Sequence, residues 1–171
     1  HAVMCMELVQ GEGGFNVGTR PFFVEIMNIL KEPMINNIIS DSLSKSMSYV
    51  DYRKLVAQLV EDNSTTGNEK TEDLANYTML NDRRMRRWDK TVKLSDEAKD
   101  LIKSFEKKVT WLVITESWCG DAAHIIPVIN KVAELNDNIN YKIVLRDEND
   151  ALMNQFLTNS GKAIPKLIMM E

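Results

Sequence analysis

Apolar residues follow a helical period in the first part of the chain and a strand pattern after it. Over residues 35–107 they recur every three or four positions, which places them on one face of a helix. Three such helices are predicted: one capped by Ser48, one over about 74–88, and one behind Ser95. The first is expected to bury Tyr52, Leu55, Val56 and Leu59, and the third Ala98, Leu101, Ile102 and Phe105.

Short apolar runs replace this period further along. The run VTWLVIT (109–115) is β-branched and almost wholly apolar, as expected of a strand covered on both faces. Further strands are predicted at 140–147 and 166–170, with helices at 118–135 and 150–158. A strand, a helix and a strand in succession predict a right-handed parallel crossover, so the fold class is α/β. The functional edge of such a sheet lies at the carboxyl ends of its parallel strands.

Residues 1–33 follow a different pattern. The turn-rich stretch GEGGFNVGTRP separates the apolar runs VMCMELV and PFFVEIMNIL, which is compatible with a hairpin. A tag or leader remnant is the other interpretation, because Met34 begins a stretch that reads as a natural start. The expected division is therefore an unassigned segment over 1–33, a helical extension over 34–107 and an α/β domain over 108–171.

Composition and charge exclude several classes of protein. The chain has 171 residues, of which 44% are hydrophobic and 27% charged, as in globular proteins. A net charge of −4 gives no general affinity for nucleic acid or an anionic membrane. The apolar runs are far shorter than the roughly 20 residues that span a bilayer. Two cysteines argue against a disulfide scaffold and fit a reducing cytosol, so a cytoplasmic location is expected.

The stretch SWCGDA carries the candidate chemistry. Cys119 follows a buried strand and opens a helix, where unpaired amides and the helix dipole stabilise a thiolate. Gly120 leaves room for a partner sulfur, and Trp118 offers a flat apolar surface beside it. A buried structural cysteine is the alternative, since free cysteine is often buried. The position at a sheet edge favours a reactive thiol.

Residues 109–171 resemble the thioredoxin superfamily. Pro127 stands eight residues after Cys119, and Ile164-Pro165 precedes a strand, as in that family. With WCGDA, the stretch is similar to a bacterial branch of small thioredoxin-like proteins that carry a helical N-terminal extension. The resemblance implies a thioredoxin-like fold, a cis Pro165 facing Cys119, and an Ile164 backbone that pairs with an extended substrate. It also implies a further strand and helix after Glu171, which are apparently missing unless residues 1–33 fill the vacancy.

The departures from the family pattern define the expected mechanism. Ala122 stands where the dithiol enzymes have their second cysteine, and Val113 where many members have a buried aspartate. Asp121 replaces a proline, and its carboxylate opposes a nearby thiolate. Lys166 stands where threonine is common. An ordinary dithiol reductase is therefore excluded.

Two functions remain. The first is a thiol–disulfide oxidoreductase that acts through one cysteine. This cysteine attacks a disulfide, or becomes a sulfenic acid, and forms a mixed disulfide that an external thiol resolves. The second is a non-catalytic thioredoxin-fold module that binds peptides or proteins, so enzyme status stays open. The expected partner is a protein or a low-molecular-weight thiol or disulfide, with no nucleic acid, membrane, cofactor or metal. Candidate site residues are the catalytic Cys119 and the substrate-binding Trp118, Gly120, Asp121, Ile164 and Pro165.

Other polar features have weaker interpretations. His124 lies about 140° round the helix from Cys119, so a catalytic pair is not expected. The acidic residues Asp147, Glu148 and Asp150 lack a metal-ligand spacing and are interpreted as a solvated loop.

The arginine-rich stretch RRMRRW (83–88) has two interpretations. One is a solvated helix face with local ion pairs. The other is an arginine that lies near Cys119 and offsets Asp121, or that holds a carboxylate-bearing thiol. Cys5, the other thiol, is predicted not to pair with Cys119, because a strand that fills the vacant edge would lie beside KLIMM.

Overall fold

The computed structural model describes residues 3–6 and 33–171. Its helices are α1 (Pro33–Ser44), α2 (Tyr49–Glu61), α3 (Glu72–Thr91), α4 (Asp96–Lys103), α5 (Gly120–Ala133) and α6 (Asp150–Met153). Its strands are β1 (Val3–Met6), β2 (Val109–Thr115), β3 (Ile139–Leu145) and β4 (Lys166–Met170). The predicted α/β class and the helices upstream of residue 107 are confirmed. None of the helices over 33–171 is both long and apolar enough to cross a membrane.

The strands form one sheet in the order β1-β4-β2-β3. β2 and β3 are parallel, as the crossover rule predicts, and β4 runs antiparallel to β2. β1 pairs antiparallel with β4, which is the edge predicted for a strand from the N-terminal segment. The other half of the hairpin considered for residues 1–33 lies outside the described residues.

The sheet is covered on both faces. Leu112, Val113 and Ile114 of β2 are fully buried, and their alternation assigns them to two apolar clusters. One cluster contains side chains of α2, α3 and α5, and the other contains side chains of α1 and α6. Cys119 belongs to the first cluster. The helices of the first cluster therefore determine what surrounds the thiol.

Helices α2 and α3 pack against each other beside the site. The Ser48 hydroxyl caps α2 by accepting from the Asp51 amide, as predicted. Of the predicted apolar face, Tyr52 and Val56 are buried, whereas Leu55 and Leu59 are half-buried. Arg53 of α2 pairs with Asp82 and Asp89 of α3 at 3.0 and 3.2 Å. These ion pairs fix α3 relative to α2.

Two helices depart from the prediction. The apolar stripe expected for α4 is wrong at Leu101, whose side chain is 74% exposed, and α4 buries no residue. Its C-terminal end is held instead by Asn136, whose amide donates to the carbonyls of Ile102 and Phe105. The helix predicted over 150–158 ends at Met153 in α6, although Phe156 beyond it is still buried.

Candidate functional site

Cys119 is the N-cap residue of α5 and lies where β2 ends. Its side chain is 9% exposed, and it is a free thiol. Its Sγ donates to the carbonyl oxygen of Ile164 at 3.4 Å. The Ile164–Pro165 peptide bond is cis. The structure therefore brings together Cys119 and the Ile164-Pro165 pair, which are 45 residues apart in the sequence.

Two positions that hold a second cysteine and a buried aspartate in dithiol enzymes carry apolar side chains here. Ala122 is 1% exposed and packs in the same cluster as Cys119. Val113 is buried in that cluster as well. No side chain at these two positions can exchange a proton or form a disulfide with Cys119.

Burial is the main influence on the thiol and raises the pKa of Cys119. The backbone amides of Ala122 and Asp121 oppose the rise, as expected at a helix N-terminus, and so does the positive charge of Arg146. The exposed Asp121 carboxylate adds to it. The helix terminus therefore acts in the predicted direction, but desolvation outweighs it.

A cluster of four buried hydroxyls holds the chain just before Cys119. We call Thr65, Thr66, Thr78 and Ser117 the hydroxyl cluster. Ser117 Oγ lies 2.8–3.1 Å from the other three hydroxyl oxygens and accepts from the Thr66 amide at 3.0 Å. The Ser117 amide donates to Thr66 Oγ1 at 2.7 Å. The loop between α2 and α3 is thereby joined to residues 116–119 between β2 and α5, which we call the cysteine loop.

Glu116 is a buried carboxyl three residues before Cys119. Its side chain is 0% exposed; Oε1 accepts from the Asp147 amide at 2.8 Å, and Oε2 has no hydrogen-bond partner among the residues that the structure describes. Burial raises the pKa of Glu116, although the Thr66 hydroxyl and the Asp147 amide oppose the rise. The Glu116 carbonyl also accepts from the Tyr52 hydroxyl at 3.4 Å. A carboxyl thus lies beside the site, but at a position other than Val113.

Trp118 is packed between the loop before α3 and the end of β3. The Arg146 guanidinium carbon lies 4.9 Å from the centre of the Trp118 ring. Gly67 has φ +92°, and a Cβ there would lie 3.2 Å from Trp118 Nε1 and 2.9 Å from Asp147 Oδ2. Only glycine fits this approach without strain. The indole is therefore held on one face by a cation and at its edge by a backbone turn.

The prediction of a solvated acidic loop is wrong for Asp147. Its side chain is 15% exposed and accepts from Arg146 Nε at 2.7 Å and from the Asn68 amide at 3.0 Å. Burial opposes ionisation, yet these hydrogen bonds lower the pKa of Asp147. Glu148 and Asp150 are exposed, as predicted. Across the described residues no cluster of three or more acidic, histidine or cysteine side chains is arranged to hold a metal.

The arginines of RRMRRW (83–88) support both interpretations, since one forms a local ion pair and another lies near the cysteine loop. The exposed Arg86 forms an ion pair with the buried Asp82 at 2.8 Å. Arg84 turns toward the site, since a Cβ on Gly120 would lie 3.3 Å from its Nη1. His124 is exposed and accepts from the Trp88 indole N–H at 2.8 Å, which agrees with its predicted surface role.

A cavity of about 780 Å³ lies far from this chemistry. It is lined by residues of α1, by the start of β2 and by the end of β4. Cys119 lies at the other end of β2. The cavity is therefore separate from the candidate site.

Sequence reasoning found the cysteine loop and the Ile164-Pro165 pair but missed several polar neighbours. Glu116 and Ser117 stand directly before Trp118, so their place at a strand end was a visible signal. Arg146 follows β3, whose carboxyl end lies at the same sheet edge as that of β2. The burial of these side chains depends on the loop between α2 and α3, which local patterns do not reveal.

Comparison with known protein families agrees with the fold. A family profile described as thioredoxin matches residues 67–171, so the match begins before α3. The predicted thioredoxin-like fold is confirmed. No curated protein matches the chain. A crystal structure of a protein of unknown function from Pseudomonas aeruginosa is similar at 17% identity and a TM-score of 0.47. That match covers 57% of this chain and 63% of the other, which is less than two thirds of its length.

Proposed function

This chain belongs to the thioredoxin family, and we propose that it is a thiol–disulfide oxidoreductase whose single reacting sulfur is Cys119. The observation that carries the proposal is the placement of Cys119 at the start of α5, with Sγ 3.4 Å from the Ile164 carbonyl. The buried Ala122 leaves no second thiol at the usual position. The chemistry therefore uses one sulfur of this chain.

The proposed reaction has two exchange steps. The Cys119 thiolate attacks one sulfur of a disulfide, the S–S bond breaks, and the leaving thiolate takes the electron pair and a proton from water. An external thiolate then attacks the mixed disulfide, forms a disulfide with the substrate half, and releases Cys119 as a thiolate. Trp118, Gly120, Asp121, Ile164 and Pro165 are proposed to contact the substrate around the sulfur.

The proposal also includes a location, a domain arrangement and a class of partners. Two cysteines among 171 residues suit a reducing compartment, so we propose a cytoplasmic location. A bacterial source is implied by the resemblance of the WCGDA stretch to a bacterial branch of thioredoxin-like proteins. Residues 34–107 are proposed to act as a helical extension of a domain over 108–171. The proposed partners are proteins or small thiols and disulfides, without a cofactor.

A second function is favoured by one observation. Burial raises the pKa of Cys119, which lowers the fraction of reactive thiolate at neutral pH. A module that keeps the groove around Trp118 and Pro165 for binding peptides needs no thiolate. The alkylation rate of Cys119 as a function of pH separates the two functions. A redox thiol reacts readily, with a rate that still rises above about pH 8.5, whereas a purely structural thiol stays inert in the folded protein.

Turnover is tested with hydroxyethyl disulfide as substrate and reduced glutathione as the external thiol. The wild-type chain is expected to accelerate the exchange, and the Cys119→Ser variant is expected to be inactive. Cys5→Ser is the matched control, because it removes the other thiol of the chain, and it should keep full activity. Equal activity of the Cys119→Ser variant, or no activity in the wild type, would contradict the proposal.

A further inference from the structure

Arg84 lies where α3 meets the cysteine loop. Asn81 Nδ2 donates to the Ser117 carbonyl at 2.9 Å, and Asn81 Oδ1 accepts from Arg84 Nη1 at 3.0 Å. The same nitrogen would lie 3.3 Å from a Cβ placed on Gly120. The guanidinium is therefore held against the residue that follows Cys119.

The charge of Arg84 is not neutralised within the described residues. Arg86 on the same helix pairs with Asp82, and Arg146 on the other side of the cysteine loop pairs with Asp147. Arg84 is half-buried and forms no ion pair over 33–171. A guanidinium has five N–H donors in a fork that matches a carboxylate. Apart from its bond to Asn81, this fork is free to take an anion.

We propose that Arg84 selects disulfides that carry a carboxylate close to the sulfur that Cys119 attacks. This inference rests on the proposed function. The Cys119 thiolate joins the sulfur of the acidic half, the S–S bond breaks, and the other half leaves with the electron pair and is protonated by water. The carboxylate of the bound half accepts hydrogen bonds from Arg84, which are stronger than those between neutral groups.

The test compares three small disulfides of similar size: dithiodipropionate, which is anionic, hydroxyethyl disulfide, which is neutral, and cystamine, which is cationic. The rate of mixed-disulfide formation on Cys119 is divided by the rate with a free model thiol, which removes intrinsic differences in reactivity. The wild type is expected to prefer the anion over the neutral disulfide by about tenfold, or roughly 1.4 kcal/mol. Added salt should reduce the preference.

Variants of α3 assign the preference to one side chain. Arg84→Gln is expected to remove the anion preference, and Arg84→Lys to keep part of it because the charge remains. Arg87→Gln is the matched control: Arg87 is an exposed arginine one turn further on that forms no ion pair over 33–171. It should change the ratio of anionic to neutral rates by less than about twofold.

The outcomes separate this inference from the proposed function. An unchanged ratio in Arg84→Gln, or an equal loss in Arg87→Gln, would overturn the role of Arg84 while leaving Cys119 reactive. No adduct with any of the three disulfides would overturn the proposed function itself. The carboxylate source is resolved by repeating the test with glutathione disulfide and with a matched pair of Cys-Glu and Cys-Gln peptide disulfides. If the reaction with glutathione disulfide depends on Arg84, the substrate is a small thiol. If the reaction with the Cys-Glu peptide disulfide depends on Arg84, the substrate is a protein.

Discussion

Two pairs of residues around Cys119 provide two different environments. Ala122 and Val113, which we call the apolar side, are buried in the same apolar cluster as the thiol. Glu116 and Ser117, which we call the polar side, are buried residues joined to other elements by hydrogen bonds. The positions that hold the resolving chemistry of dithiol enzymes are therefore apolar here, and the polar groups lie in the loop just before Cys119.

This difference has a physical explanation. A buried carboxyl at the position of Val113 would cost free energy without a second thiol to serve. Glu116 avoids part of that cost, because one of its oxygens accepts from the Asp147 amide. Ser117 is joined to α3 and to the preceding loop, so the extension positions the backbone that carries Cys119. The polar side positions the loop, and the apolar side leaves a single thiol.

The largest loss of stability is expected from a change in the hydroxyl cluster. Ser117→Ala removes the oxygen shared by Thr65, Thr66 and Thr78 and leaves buried groups without partners. We expect a loss of about 2–4 kcal/mol in the free energy of unfolding, measured by denaturant titration. Ser95→Ala is the control, because it removes an exposed cap of α4 and should cost about 1 kcal/mol. Equal losses in the two variants would show that the cluster does not anchor the loop.

The next largest loss of stability is expected from a change in the turn beside Trp118. Gly67→Ala places a Cβ 2.9 Å from Asp147 Oδ2 at a residue with φ +92°. We expect a destabilisation of about 1–3 kcal/mol and faster alkylation of Cys119, because the indole is displaced. Gly161→Ala, which meets one carbonyl at 3.2 Å and needs no left-handed backbone, should cost less. A Gly67→Ala variant as stable as wild type would argue against this packing.

The burial of Glu116 on the polar side makes the stability of the protein depend on pH. The raised pKa means that the folded protein keeps a proton that the unfolded chain loses above about pH 4.3. Its contribution to stability is therefore complete below that pH and is lost as the pH rises through the folded-state pKa. The Glu116→Gln variant should lose less stability than wild type as the pH is raised from 4 to 7, in thermal unfolding curves. The exposed Glu106→Gln serves as the control. Identical pH profiles for wild type and Glu116→Gln would contradict the burial.

The smallest effect is expected on the apolar side. Ala122→Cys restores a second thiol, but the apolar Val113 supplies no proton acceptor and Asp121 disfavours a thiolate. We expect weak insulin reduction, well below that of an ordinary thioredoxin, and none in the Ala122→Ser control. Activity equal to that of a dithiol thioredoxin would show that these departures from the family pattern matter little.

The sequence predicted the elements that depend on local pattern. The strand predicted for β2, the Ser48 cap of α2 and the position of Cys119 at the start of α5 are confirmed. The hydroxyl cluster was missed because Thr66 and Ser117 are 51 residues apart, and no local period records such a contact. The Leu101 error has the same origin, since an amphipathic stripe does not show whether another element covers it.

The proposed function depends on the claim that Cys119 acts as a single thiol, and the mass of the intact protein after reaction with glutathione disulfide is the decisive measurement. We expect one glutathione per chain, located on Cys119 by peptide mapping and released by a reducing thiol. The Cys119→Ser variant should stay unmodified under the same conditions. An unmodified wild-type chain, or a Cys5–Cys119 disulfide as the main product, would contradict the claim.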